Sequence, residues 1–308
     1  MFSIGRLRPR PARETAALLV VVGLVTLVRG RKRAHLAAGL ASACAYAVPV
    51  AITVGVPRSR VRDSLVWAAH MWAYKNAFEM PFDDESRLRR RAHIDYPIAF
   101  DTRLGMGLPP GQRLQCRLRR RGRLSPLDKA LSILYWTWEA EPHLALAWVR
   151  WRHERSFAAA AARLAATFDL TLVGYWLLPT APPWWASEQA GRLDREVCRV
   201  MSEVASWLKR ERESSKDDHE MGANPFAAMP SDHFASAVMT AMLLAELDTT
   251  LGSLAWAYAL LLGFALVYLG EHYVLDLIAG LCMALVVKSA GAPLGRAGAR
   301  LLDLGPSR

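Results

Sequence analysis

Near-continuous apolar segments constrain this chain more than any other feature. Seven of them are each about long enough, as helices, to cross the roughly 30 Å hydrocarbon core of a membrane. A spanning segment must satisfy its backbone N–H and C=O groups internally, as a helix does. The chain is therefore predicted to be an all-α, polytopic membrane helical bundle. The seven segments are Ala16–Val28, Ala34–Val56, Ala130–Val149, Phe157–Leu178, Ser231–Leu247, Ser253–Leu269 and Tyr273–Lys288.

The number of spanning helices depends on a semi-polar segment, Leu65–Phe82. If it spans the membrane, there are eight helices, both termini lie in the cytoplasm, and Arg58–Arg62 is cytoplasmic as the positive-inside rule prefers. If it lies in the interface, there are seven helices and the N-terminus is outside. We favour eight.

The net charge of +11 is distributed in a way that favours a membrane partner. Arg and Lys cluster at the ends of apolar segments, as in Arg29–Arg33 and Arg150–Arg155. Such clusters orient helices and contact anionic lipid headgroups, whereas nucleic-acid binding favours basic residues interleaved with aromatics on a soluble surface. We therefore expect membrane lipids as partners and no nucleic acid. The oligomeric state is left open.

Basic residues after the last apolar segment predict a cytoplasmic C-terminus, in a membrane that we expect to be the plasma membrane. Counting back along the helices places the turns at 268–272 and 230–233 outside and Arg150–Arg155 inside. The predicted organisation has three parts. They are an N-terminal two-helix segment at 1–64, a helical membrane domain at 65–290 with external loops at about 83–128 and 186–229, and a cytoplasmic tail at 291–308.

The segment Asn224–Ala237 contains a helix-start pattern, because Pro230 and Ser231 open an apolar segment. Ser231 and His233 then lie on or beside the first turn, where unpaired backbone N–H groups favour an anion such as phosphate. A capped helix whose histidine anchors at the interface is the alternative, and this segment alone leaves both open.

A second segment, Tyr268–Gly280, places His272 and Asp276 four residues apart, on one face of a helix. A carboxylate held against one imidazole nitrogen fixes the tautomer and makes the other nitrogen more basic. An ionisable pair in an apolar helix is costly and indicates function, although a self-satisfied pair at a helix start is the structural alternative. Two antiparallel helices of about 17 residues connect this segment to His233, so we expect both histidines at the same depth.

Pro-Ser-x-His at 230–233, followed by His-x-x-x-Asp at 272–276, resembles the second and third motifs of the type-2 phosphatidic acid phosphatase superfamily. The match covers Asn224–Gly280 well and implies a six-helix core like that of the superfamily. The sequence Pro-Thr-Ala-Pro-Pro-Trp-Trp-Ala at 179–186 resembles the branch with inositol-phosphotransferases of the inositol phosphorylceramide synthase type and with many actinobacterial membrane proteins.

This resemblance assigns a role to each residue of the two motifs. His272 would attack phosphorus and form a phosphohistidine, Asp276 would orient it, and His233 would protonate the leaving oxygen. Ser231 and nearby N–H groups would hold the phosphoryl oxygens. The implied function is a metal-independent lipid phosphatase or phosphotransferase that acts on a phosphate-containing headgroup outside the cytoplasm, with inositol-phosphate transfer as one form.

The chain also departs from the superfamily pattern. The third motif usually has Arg six residues before its His, where this chain has Leu266, and the first motif, Lys-x₆-Arg-Pro, is not found in its expected place. The phosphate needs positive charge from elsewhere. Lys75 is the first candidate and Arg103, or one of Arg87–Arg91, is the second.

The remaining residues indicate neither a metal nor an organic cofactor. There is no Cys-x-x-Cys pair and no zinc-ligand spacing, and the sequence does not decide whether Cys116 and Cys198 form an external disulfide. The competing function is a catalytically silent membrane scaffold or lipid-binding protein with the same fold, which the absent first motif favours.

Overall fold

Helices make up most of the chain that the structure, a computed structural model, describes, namely residues 38–120, 122–211 and 224–303. The predicted helix Ala16–Val28 lies outside these residues. The all-α prediction is confirmed for the described part, where β-structure is limited to isolated bridges. The helices are α1 (Ala38–Gly55), α2 (Arg60–Glu79), α3 (Glu85–Arg91), α4 (Asp95–Leu104), α5 (Pro110–Leu118), α6 (Pro126–Thr137), α7 (Glu141–Arg152), α8 (Phe157–Leu177), α9 (Pro183–Glu188), α10 (Val200–Glu211), α11 (Asp232–Ala245), α12 (Thr249–Tyr268), α13 (Val274–Ser289) and α14 (Gly291–Leu302).

Helix α11 lies at the centre of the bundle and packs against α7, α8, α12 and α13. Its small residues Ala235, Ala237 and Ala241 are fully buried, as are Val238 and Met239. Because α11 is surrounded on all sides, its first turn is held at a fixed position among the long helices.

A glycine lets α13 approach the start of α11 closely. A Cβ added to Gly280 would lie 2.5 Å from the carbonyl oxygen of Ser231 and 3.4 Å from the backbone nitrogen of Ala235. Side chains larger than hydrogen would push the two helices apart. The two motif-bearing segments therefore meet through backbone contact.

The predicted apolar segment Ala130–Val149 is divided in the structure. Helix α6 ends at Thr137, a turn follows, and α7 begins at Glu141 with Pro142 in its first turn. The interruption follows from proline, which lacks the N–H that a continuing helix would need. The turn residue Trp138 donates its Nε1–H to Ser236 Oγ on α11 at 2.8 Å.

Short helices and paired loops form a layer over the end of the bundle that carries both histidine motifs. Loop 178–181 lies between two other segments and bonds to both. His93 N–H donates to the Pro179 carbonyl at 2.8 Å on one side, and Ala228 N–H donates to the Thr180 carbonyl at 3.2 Å on the other. The backbone just before α11 is thereby fixed by loops remote in sequence.

Membrane-spanning capacity is more limited than the sequence predicted. Two described helices are long and apolar enough to cross a membrane, and a third span results if one pair of helices bent by 68° is counted as one. The predicted count of seven or eight spans is not confirmed. The spans are Glu154–Leu177, Thr249–Tyr268 and the bent pair Val274–Ser289 with Gly291–Leu301.

Charge and length explain the difference for the other helices. Helix α2 carries Arg62, Asp63 and Lys75, so it is not apolar enough. Helix α11 has 14 residues and a length of about 21 Å, which is shorter than the hydrocarbon core. Helix α11 gains its apolar surroundings from protein neighbours, since most of its residues are buried.

The predicted C-terminal tail, 291–308, is helical over its described part. Helix α14 packs along α8, where Gly298 contacts Ala158 and Ala162, and Gly295 contacts Ala159. Small residues on both helices allow this close approach.

We expect Gly280→Ala to destabilise the protein by about 1–3 kcal/mol, because its methyl group overlaps the Ser231 carbonyl. Thermal unfolding in detergent measures the effect. Gly55→Ala is the matched control, since nothing lies within 4 Å of the Cβ added there. Equal stability of the two variants would contradict the close packing of α13 on α11.

Candidate active site

The first turn of α11 uses most of its N–H groups within the protein. Ser231 N–H donates to the Asp276 carbonyl at 3.0 Å, and Asp232 N–H donates to the Tyr175 hydroxyl oxygen at 3.1 Å. Phe234 N–H lies 3.4 Å from Ser231 Oγ, so Ser231 is the N-cap of the helix. The helix end expected to attract an anion is thus already largely paired.

His272 is buried and held by two acceptors on the same side of its ring. Its Nδ1 lies 2.8 Å from the Ala228 carbonyl oxygen and 3.4 Å from Asp276 Oδ2. A carbonyl oxygen can only accept, so we assign the proton of the neutral ring to Nδ1. The Nε2 lone pair is then free to act as a base or a nucleophile.

His233 stands opposite that lone pair. Its Nδ1 lies 3.4 Å from His272 Nε2, and the two ring centres are 5.5 Å apart. Its ring also packs against Trp138 at 4.1 Å and Tyr135 at 4.9 Å. The structure therefore brings the two motif histidines into direct contact, with aromatic rings fixing the orientation of His233.

Asp276 is fully buried beside His272 and completes this group. Its Oδ2 accepts the Tyr273 N–H at 2.8 Å. Its Oδ1 is buried without a hydrogen-bond partner among the described residues. A buried acid therefore lies in contact with the His272 ring.

Two further acids hold the site, and neither was among the predicted site residues. Asp232 accepts hydrogen bonds from the Tyr74 hydroxyl at 2.6 Å and from Thr171 Oγ1 at 2.9 Å, which ties α11 to α2 and α8. Asp232 lies within the Pro-Ser-x-His motif, but the sequence offered no partner for it. The partners come from helices distant in sequence.

The second acid, Asp101 on α4, caps the helix that carries the second motif. Its carboxylate accepts the backbone N–H groups of Val274 at 2.9 Å and Leu275 at 3.2 Å, directly after His272. Burial raises the pKa of the Asp101 carboxyl to about 6, against the lowering effect of these two N–H groups. The sequence Asp-Thr-Arg at 101–103 drew attention to Arg103, whereas the acid is the residue that reaches the site.

The two predicted phosphate cations, Lys75 and Arg103, are exposed. In the described part of the chain, no contact connects either side chain to the histidine pair. Their neighbours Tyr74 and Asp101 point inward instead. Arg199, which directly precedes α10, does have a connection to the site. It forms an ion pair with Glu271, the residue before His272.

Metal ligands and disulfides are not found among the residues that the structure describes. No group of three or more His, Cys, Asp or Glu side chains there is arranged to hold a metal ion. All four cysteines are free, including Cys116 and Cys198, so the disulfide that the sequence left open is not formed.

Fold and site together define a class: over the described residues, a helical bundle with membrane-capable helices and two histidines in contact, one of them buried beside an aspartate. A family model described as the PAP2 superfamily matches residues 99–290, more than half of the chain and both motifs. The chain belongs to the PAP2 superfamily. No curated protein and no solved structure matches it.

Superfamily membership agrees with the resemblance seen in the two motifs. The superfamily generally comprises phosphatases and phosphotransferases, and two or three apolar helices fit a membrane protein. The match does not distinguish the inositol-phosphotransferase branch from others.

The raised pKa of Asp101 predicts a pH-dependent contribution to stability. Because the folded-state pKa of about 6 exceeds the ordinary value of 3.8, ionising this buried acid costs folding free energy. The contribution of Asp101 to the free energy of unfolding is most favourable below about pH 4 and is lost as pH rises through 6. We expect the difference in unfolding free energy between wild type and Asp101→Asn to change over this window.

Thermal or denaturant unfolding of both proteins at pH 4–8 measures that difference. Asp95→Asn is the control, since Asp95 lies on the same helix but its carboxylate is exposed. A difference between wild type and Asp101→Asn that stays constant from pH 4 to 8 would contradict the prediction.

Proposed function

We propose that this protein is a membrane lipid phosphatase or phosphotransferase that works through a phosphohistidine on His272. The main support is the geometry of that ring: Nδ1 is engaged by Ala228 and Asp276, and Nε2 faces a second imidazole. A fixed nucleophile beside a separate acid is the arrangement that covalent phosphoryl transfer needs.

In the first step, His272 Nε2 forms a bond to phosphorus while the bond from phosphorus to the leaving oxygen breaks. His233, in its protonated form, gives that oxygen a proton, and Asp276 stabilises the positive charge on His272. The 3.4 Å contact between the histidines is too short to hold an N–P–O bridge, so the His233 ring moves aside as the substrate enters.

In the second step, water or an alcohol attacks the phosphohistidine, and neutral His233 takes its proton. Water gives a phosphatase, and a lipid or polyol hydroxyl gives a phosphotransferase. Inositol-phosphate transfer is the form that the sequence at 179–186 favours by resemblance. The site would face the extracytoplasmic side of the plasma membrane, with the C-terminus in the cytoplasm.

We expect His272→Ala to abolish turnover of lipid phosphates and Asp276→Asn to lower kcat about 10²–10⁴-fold. His233→Ala should be strongly impaired on alkyl phosphates but much less on nitrophenyl phosphate, whose leaving oxygen needs no proton. Steady-state kinetics on both substrate classes, with acid-labile phosphoprotein detected after a quench, measure these effects.

His153→Ala is the control for these variants, since His153 ends α7 outside the site. Turnover by His272→Ala at the wild-type rate would refute the mechanism. A wild-type protein inactive on monoester and diester lipids alike would instead favour the silent scaffold.

The proposed orientation predicts that Cys116 is reachable from outside the cell. Cys116 is exposed on α5, and its neighbour Gln115 donates to the Tyr268 carbonyl at 2.8 Å beside the second motif. A membrane-impermeant maleimide should label Cys198→Ser on intact cells but not the double variant Cys116→Ser, Cys198→Ser, since the half-buried free Cys198 lies on the same face. If Cys116 is labelled only in permeabilised cells, the proposed orientation is wrong.

A further inference from the structure

The groups described around the histidine pair are mostly acidic. Asp101, Asp232, Asp276 and Glu271 all contact the segments that carry the two histidines, or lie within them. A phosphoryl group entering between the histidines would meet these negative charges, so its binding requires a nearby cation. Among the described contacts, Arg199 is the cation connected most directly to this turn.

Arg199 is held by the residue next to the nucleophile. Its Nε donates to Glu271 Oε1 at 2.9 Å, and its Nη2 lies 3.5 Å from Glu271 Oε2. Glu271 is only 8% exposed and directly precedes His272. A guanidinium has five N–H donors, and the Nη1 edge of Arg199 has no partner in the described part of the chain.

A tryptophan fixes the plane of that guanidinium. The Arg199 guanidinium carbon lies 4.5 Å from the ring centre of Trp184. The backbone N–H of Trp184 donates to the Gly270 carbonyl at 3.1 Å. Both supports of Arg199 are therefore attached to the 270–272 turn. An arginine oriented in this way can present two parallel N–H groups to an oxyanion.

The segment that carries Arg199 is connected to the His233 side of the site through an apolar cluster. Tyr135, which packs on the His233 ring at 4.9 Å, also packs against the apolar cluster that contains Val200, the residue after Arg199. Arg199 also lines an open cavity of about 1090 Å³ together with Trp184 and Glu188. The guanidinium thus lies at the residue that precedes His272 and at the edge of a cavity with room for a headgroup.

We propose that Arg199 binds the non-bridging oxygens of the phosphoryl group that is transferred, and that Glu271 holds Arg199 in place. This role rests on the proposed phosphohistidine function. It assigns the phosphate cation to the segment before α10 and replaces Lys75 and Arg103 as first choice.

The test is binding of orthovanadate, which stands in for the five-coordinate phosphorus, to the full-length protein in detergent. For Arg199→Ala, the Kd for vanadate should rise about tenfold or more, as for loss of a charge-assisted bidentate contact. Arg199→Lys should recover part of the lost vanadate affinity, because Lys keeps the positive charge but lacks the two parallel N–H groups of a guanidinium. Glu271→Gln should weaken vanadate binding less than Arg199→Ala does, because the amide oxygen of Gln still accepts the Arg199 Nε–H while the guanidinium remains in the site.

Arg192→Ala is the matched control, because Arg192 lies on the same external loop and pairs with exposed Asp95. Its vanadate affinity should equal that of wild type. Gel filtration and thermal unfolding show which variants are folded. If Arg199→Ala does not fold, the vanadate affinity of Arg199→Lys is compared with that of wild type instead.

Two outcomes would overturn the Arg199 role alone. One is vanadate affinity within twofold of wild type in both Arg199 variants while wild type turns over lipid phosphate. The other is an equal loss of affinity in Arg199→Ala and Glu271→Gln, which would reduce the pair to a structural support. A folded wild type that neither binds vanadate nor turns over any lipid phosphate would overturn the proposed function, and the Arg199 role with it.

Discussion

The carboxylate of Asp101 on the first N–H groups of α13 is the contact on which much of the site depends. A helix that starts in an apolar bundle leaves its first N–H groups without water, so each needs a partner from the protein. Asp101 supplies two acceptors from another helix, and Asp276 supplies one from within α13. His272 lies just before this anchored turn, so its ring is placed by groups outside its own segment.

Hydrogen bonds between loops also link His272 to the layer of short helices and loops over this end of the bundle. The Ala228 carbonyl that holds His272 belongs to a loop bonded to Thr180, and Thr180 lies on a loop bonded to His93. A local contact at His272 thus depends on three loops that are far apart in sequence.

Much of the helical framework was predictable because apolar length and proline position are local properties. Predicted segments and observed helices agree closely for Phe157–Leu178 and Ser253–Leu269, and the break near Pro142 follows from its missing N–H. The number of membrane spans was not predictable in this way. A short helix such as α11 is apolar because it lies inside the protein, and hydropathy alone does not separate that case from contact with lipid.

The sequence by itself determined the two histidine motifs, their place at helix ends and the all-α class, since each follows from residue type and spacing. Only the tertiary structure decided the 3.4 Å contact between His233 and His272, the acceptors on His272 Nδ1, and the inward position of Asp101. It also decided that Arg199 joins Glu271 while Lys75 stays exposed. These features depend on contacts between residues tens to more than a hundred positions apart, which packing sets and local pattern does not encode.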